Sequence, residues 1–150
     1  MSGLYAQYKT DPKLEVGGIF IDVGKNSKGE DTRFKIARAG GSNVQFQKAL
    51  ERETKPYKRA IQTKTLSDAL AHTIYLRAFV AGVLLGWEGV EDENNQPLQF
   101  TFDNALKLFT DLPDLFAQLK EDASDVSLFR EEVLEADLGK SGPSSSTASS

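Results

Sequence analysis

The chain contains no cysteine, which removes disulfides, zinc–thiolate sites and iron–sulfur clusters from consideration and suits a reducing compartment. It contains a single histidine, His72, so neither a histidine-based triad nor a histidine-rich metal site can be assembled. Long apolar runs are also missing. The most apolar stretch, Ile74 to Trp87, carries Arg77 and falls short of the roughly 18 residues a bilayer crossing requires. Met1 to Pro12 is polar and has no apolar core of the kind a secretion signal needs.

What is present is an ordinary globular composition over 150 residues, enough for one domain that buries about 70% of its unfolded surface. The net charge is −4, but it is divided unevenly. Residues 1–87 hold 14 Lys/Arg against 8 Asp/Glu, and residues 88–150 hold 4 against 14. Such an asymmetry can steer partners or bring one end of a molecule to the opposite end of another. Its plainer reading is a pair of solvated faces with different biases.

The pattern along the chain predicts an α+β fold that is predominantly helical. Residues 1–13 read as a flexible N-terminal segment, 14–140 as a single domain and 141–150 as a disordered tail. Leu14 to Val23 is rich in β-branched and aromatic residues, and Phe34 and Ile36 alternate with Arg33 and Lys35 across Thr32 to Arg38. With a Gly/Asn-containing turn between them, they predict an antiparallel hairpin. A lone hairpin is marginal in water, so it is expected to pack on a bundle of four to five helices.

Ala39-Gly40-Gly41 breaks the strand, and Ser42 or Asn43 can cap a helix bearing Val44, Phe46, Ala49 and Leu50. Lys48, Arg52, Lys55, Lys58 and Arg59 make that region basic, and Pro56 should end or kink it. Thr65-Leu66-Ser67-Asp68 resembles a capping box opening a main helix over Leu66 to Gly86. Thr101 can cap a short helix over Phe102 to Phe109. A final helix is expected from Leu112-Pro113, with Leu115, Phe116, Leu119, Ala123, Val126, Phe129 and Val133 forming one apolar stripe on an acidic helix. The closing SGPSSSTASS has nothing to bury.

Little in the sequence carries chemistry, and the chain reads as non-enzymatic. Gly139-Lys140-Ser141 looks like the end of a phosphate loop, but Leu134 stands where the required glycine should be. Glu91 to Gln96 gathers oxygen ligands without calcium-loop spacing, since Pro97 occupies the sixth place counted from Asp92. Asp122/Asp125 and Glu131/Glu135 are carboxylate pairs at surface spacing. His72 reads as a partly buried helix residue. Lys48 to Lys64 could touch nucleic acid, but the acidic whole and a single aromatic, Tyr57, argue against it. No cofactor or metal is implied. Apolar surface remains, and the last helix carries Leu128 and Leu134 beside its stripe, with Leu138 beyond. Both partner contact and core packing account for such residues.

Several segments in order resemble the tail assembly chaperone family of long-tailed bacteriophages. They are Arg38 to Leu50 (RAGGSNVQFQKAL), Pro56-Tyr57, Leu84 to Val90 (LLGWEGV), Asn95 to Leu98, Phe102 to Ala105 (FDNA), Leu112 to Phe116 (LPDLF) and Phe129. The similarity runs over roughly residues 15–140. Asn95 departs from the glycine that related sequences carry, and asparagine is the next best residue for a left-handed turn.

The resemblance implies a protein of the host bacterial cytoplasm that coats the tape measure protein and holds it soluble. Tail-tube protein then polymerises around it, and the chaperone is absent from the mature virion. On this reading Phe116, Leu119, Val126, Leu128, Phe129 and Leu134 form the partner contact. It also implies a longer frameshifted form of the same protein. Leu138-Gly139-Lys140 can be encoded as CUG-GGA-AAG, which contains the slippery heptamer G-GGA-AAG. A virion tail-completion or connector protein and a small nucleic-acid-binding regulator are the competing expectations.

Overall fold

A computed structural model describes residues 3–130. The N-terminus is helical. Helix α1 spans Leu4–Tyr8 and α2 spans Pro12–Gly17. This corrects the strand expected from Leu14. The local signal is Asp11-Pro12: the Asp11 side chain accepts from the Lys13 N–H at 2.9 Å, and proline occupies the first turn, where no N–H partner is needed. Gly18, at φ +90°, turns the chain into the sheet.

Strand β1 (Ile19–Lys25) pairs antiparallel with β2 (Asp31–Ile36), so the expected hairpin is present. Its turn is held by Asn26, whose side-chain oxygen accepts from the N–H groups of Lys28 and Glu30. The register sets Ile19 opposite Ile36 and Ile21 opposite Phe34, which puts the apolar set on the inner face.

Helix α3 (Val44–Thr54) begins at Asn43 and runs through a 3₁₀ turn (Lys55–Tyr57) containing Pro56 into α4 (Lys58–Gln62). Helix α5 spans Asp68–Gly82 and is capped by Ser67, whose hydroxyl accepts from the Leu70 N–H. The expected main helix is therefore too long by its last turn. Leu84–Glu88 is a third strand, β3, antiparallel to β2, with Phe34 opposite Trp87 and Ile36 opposite Leu84. An apolar run with no polar face reads alike as a buried helix or a buried strand, and periodicity cannot separate them. Gly82 ends the helix against α3, where a Cβ would stand 2.6 Å from the Phe46 Cα.

Helix α6 spans Phe102–Asp111 and α7 spans Pro113–Ala123. Thr101 caps α6 as expected, accepting from the Asn104 N–H at 3.0 Å. The final helix, however, stops ten residues short of Val133. The Ala123 carbonyl accepts from the Ala39 N–H at 2.9 Å. Asp125 then caps a separate 3₁₀ turn, Val126–Phe129, through the Ser127 N–H. The sheet's inner face closes on an aromatic core in which Phe79 meets Phe116 edge-on at 5.1 Å and Phe109 lies 5.5 Å from Phe116. The fold is thus α+β and largely helical, with a third strand added to the expected hairpin.

Candidate interaction surfaces

Half of the apolar residues assigned to partner contact are core. Phe116 is 3% exposed, and Leu119 and Phe129 are fully buried. Phe116 packs on Phe79, Phe109 and Tyr75, and the Phe129 carbonyl accepts from the Asp11 N–H at 2.8 Å. These three are corrected to structural positions, because no partner can reach a side chain already enclosed by its own fold. Val126 and Leu128 are partly buried on the 3₁₀ turn. Leu134, Leu138, Gly139 and Lys140 lie outside the described residues, as does the Ser-rich tail.

Other sequence candidates resolve into structural roles. His72 is exposed, not partly buried, and its ring stands edge-on to Phe116 at 5.8 Å. Asp92 spends its carboxylate on the loop's own backbone, accepting from the N–H groups of Asn94 and Gln96. Asn95 sits at φ +60° in that turn, as an asparagine in glycine's place should. The hairpin turn is tied to the same loop, since Ser27 Oγ donates to Glu91 Oε2 at 2.7 Å and Asn26 Nδ2 donates to the Gly89 carbonyl at 3.1 Å. Burial pushes the Asp122 carboxyl up, while hydrogen bonds from Ser127 hold Asp125 down. Among the described residues no group of three or more His, Asp or Glu is placed to hold a metal ion. No helix among them is long and apolar enough to cross a membrane.

The surface that stands out lies at the N-terminus. Leu4, Tyr5 and Tyr8 are 74%, 85% and 64% exposed. Their i, i+1, i+4 spacing puts them within about 100° of one another around α1. Sequence reasoning passed over them because three apolar residues in a short polar segment fall below any periodicity window.

The chain that follows α1 is anchored firmly. Thr10 forms a β-bridge with Arg130. Glu15, only 1% exposed, is ion-paired with Arg38 at the end of β2 and accepts from the Ser42 N–H at 3.1 Å. Burial alone would raise the Glu15 pKa. Hydrogen bonds from Arg38, Ser42 and Thr10 outweigh it and hold the carboxyl below its ordinary value. A greasy helix is thereby presented on a fixed base.

A second surface is electrostatic. Lys48 and Arg52 on α3, Lys55 on the 3₁₀ turn and Arg59 on α4 are all exposed, so this stretch of the surface is basic. On the other side of the molecule's charge division, Asp114, Gln118 and Glu121 line the exposed side of α7 at i, i+4, i+7.

A family model described as YdaY prophage protein matches residues 41–140. The chain belongs to this family. Its members are prophage proteins, so a phage origin is established for the chain, and the match takes in everything from the start of α3 through the end of the described residues. The α1 face and the hairpin lie upstream of the matched span. No curated protein and no solved structure matches the chain.

Proposed function

We propose that this prophage protein is a non-enzymatic tail assembly chaperone of the host cytoplasm. It would bind the tape measure protein, keep it soluble, help recruit tail-tube subunits and leave before the virion is complete. The family's prophage origin supports the setting. The observation that carries the reading is the exposed α1 face of Leu4, Tyr5 and Tyr8. A long chain with apolar helical stripes aggregates unless a soluble partner covers them, and an apolar helix face held on an anchored base suits that task. The contact therefore moves from the last helix, where the sequence had put it, to the N-terminus.

The test is co-expression with the tape measure protein of the same prophage, reading the soluble fraction of that protein. Wild-type chain should raise it several-fold, and a Leu4→Ser/Tyr5→Ser/Tyr8→Ser variant with an unchanged circular dichroism spectrum should not. A tape measure protein that is equally soluble without the chaperone overturns the function. A triple variant that still protects it overturns the assigned face.

A further inference from the structure

We infer that residues 131–138 of the same chain close over the exposed face of α1 and cover Leu4, Tyr5 and Tyr8. Helix α1 is five residues long and contains no buried residue. A helix that short does not hold itself in water, because nucleating the first turn costs more than one or two hydrogen bonds return. Its inner side rests on half-buried Ala6 and Gln7, while its three large apolar side chains are exposed. A short helix with its greasy side outward calls for a cover.

The place where the described chain ends identifies that cover. The 3₁₀ turn Val126–Phe129 packs against both α1 and α2. The Phe129 carbonyl accepts from the Asp11 N–H, and Arg130 then forms an antiparallel bridge with Thr10. Antiparallel segments run in opposite directions, so the chain leaving Arg130 heads toward the residues that precede Thr10, which are those of α1. The next eight residues are Glu131 to Leu138 (EEVLEADL), with Val133, Leu134 and Leu138 as their large apolar members. They span about 12 Å as a helix or about 26 Å extended, and α1 is only about 8 Å long.

Arg130 adds a second reason. Its Nε is buried and has no hydrogen-bond acceptor among the described residues. A buried donor left unpaired destabilises the fold, and a segment carrying Glu131, Glu132 and Glu135 starts at that residue. The segment also needs no encounter. Attached directly to the turn beside α1, it stands at an effective concentration in the millimolar range, above what a second copy reaches in dilute solution. The cover itself does not depend on the chaperone reading; that a tape measure protein displaces it rests on that reading.

Amide exchange of the full chain, followed by nuclear magnetic resonance, tests the cover. The Gln7 and Lys9 N–H groups bond to the Gly3 and Tyr5 carbonyls at 3.1 and 2.9 Å, so they report the opening of α1. Val133→Ser/Leu134→Ser/Leu138→Ser alters no residue of the described core and should exchange both amides about tenfold faster than wild type. The wild-type rates should not change with protein concentration. Equal rates in the two proteins overturn the inference. So does protection that grows with concentration, which would assign the cover to a second copy. Binding to the tape measure protein of the same prophage separates the cover from the chaperone reading. The uncovered variant should bind it several-fold more tightly than wild type, and equal affinity with α1 protected overturns the displacement. A tape measure protein that binds neither chain, with the exchange difference intact, ends the chaperone reading and leaves the cover standing.

Discussion

The side-chain amide of Asn43 donates to the carbonyl of Gly82 at 2.8 Å, joining the start of α3 to the end of α5. Its second N–H goes to the Arg38 carbonyl at 2.8 Å, and its oxygen accepts from the Gln45 N–H at 3.2 Å. One buried side chain thus satisfies three backbone groups from the strand end, the helix start and the helix end. Asn43→Ala should lose the cap and leave two carbonyls without partners, at a cost of about 2–4 kcal/mol. Asn43→Asp keeps the cap acceptor but turns a carboxylate toward those carbonyls, so it should be at least as damaging. Urea denaturation of both variants checks the order.

Gly82 itself is fixed by the same crossing. An added Cβ would lie 2.6 Å from the Phe46 Cα and 2.8 Å from the Gln45 carbonyl oxygen, and neither is a side chain that can swing away. Gly82→Ala should gain about 1 kcal/mol of helix propensity yet lose more to overpacking of the α3–α5 contact, a net destabilisation of about 1–2 kcal/mol. Gly86 in β3 has open space where its Cβ would be. Gly86→Ala should therefore be neutral or slightly stabilising, and thermal melts of the pair separate crowding from backbone entropy.

The elements that could be read from the sequence are those with a local chemical signature. Asn43 and Thr101 are caps, Pro56 breaks a helix, Asn26 closes a hairpin, and Asn95 takes a left-handed turn; each acts within a few residues of itself. The missed elements depend on distant partners. Leu84–Glu88 is a strand because β2 offers it a ladder, and α7 ends at Ala123 because Ala39 claims its last free carbonyl. The apolar stripe on the last helix had the right residues and the wrong destination. Its period shows that one side is apolar, and only the aromatic cluster around Phe79 shows that this side faces inward.

That distinction is measurable. Phe116→Ala and Phe129→Ala each empty a fully enclosed site, and each should cost about 3–5 kcal/mol. Tyr5→Ser and Tyr8→Ser alter exposed side chains and should stay within about 0.5 kcal/mol of wild type. Chemical denaturation of the four variants should divide them into two groups. A Phe116→Ala protein of near-wild-type stability would return that residue to the partner-facing class.

The Glu15 carboxylate makes the stability of the fold depend on pH. Because its folded-state carboxyl titrates below its ordinary value of 4.5, the unfolded chain takes up a proton more readily there than the folded one. The stabilisation is fully present above about pH 4.5 and is lost as pH falls through the lower folded-state value. Glu15→Gln should still accept a hydrogen bond from Ser42 but loses the charge that holds Arg38, whose side chain retains some exposure and can rehydrate. The variant should therefore be less stable than wild type by about 2–3 kcal/mol at pH 7. Wild type should approach it on acidification, so that the gap narrows below pH 4.5. Denaturation midpoints of the two proteins from pH 7 to pH 3 test this, and a gap that stays constant across the range would show that Glu15 acts through packing and not through charge. Because Glu15 anchors the chain that carries α1, protease cleavage between Tyr8 and Asp11 should become faster in Glu15→Gln at pH 7, while wild type should show that susceptibility only in acid.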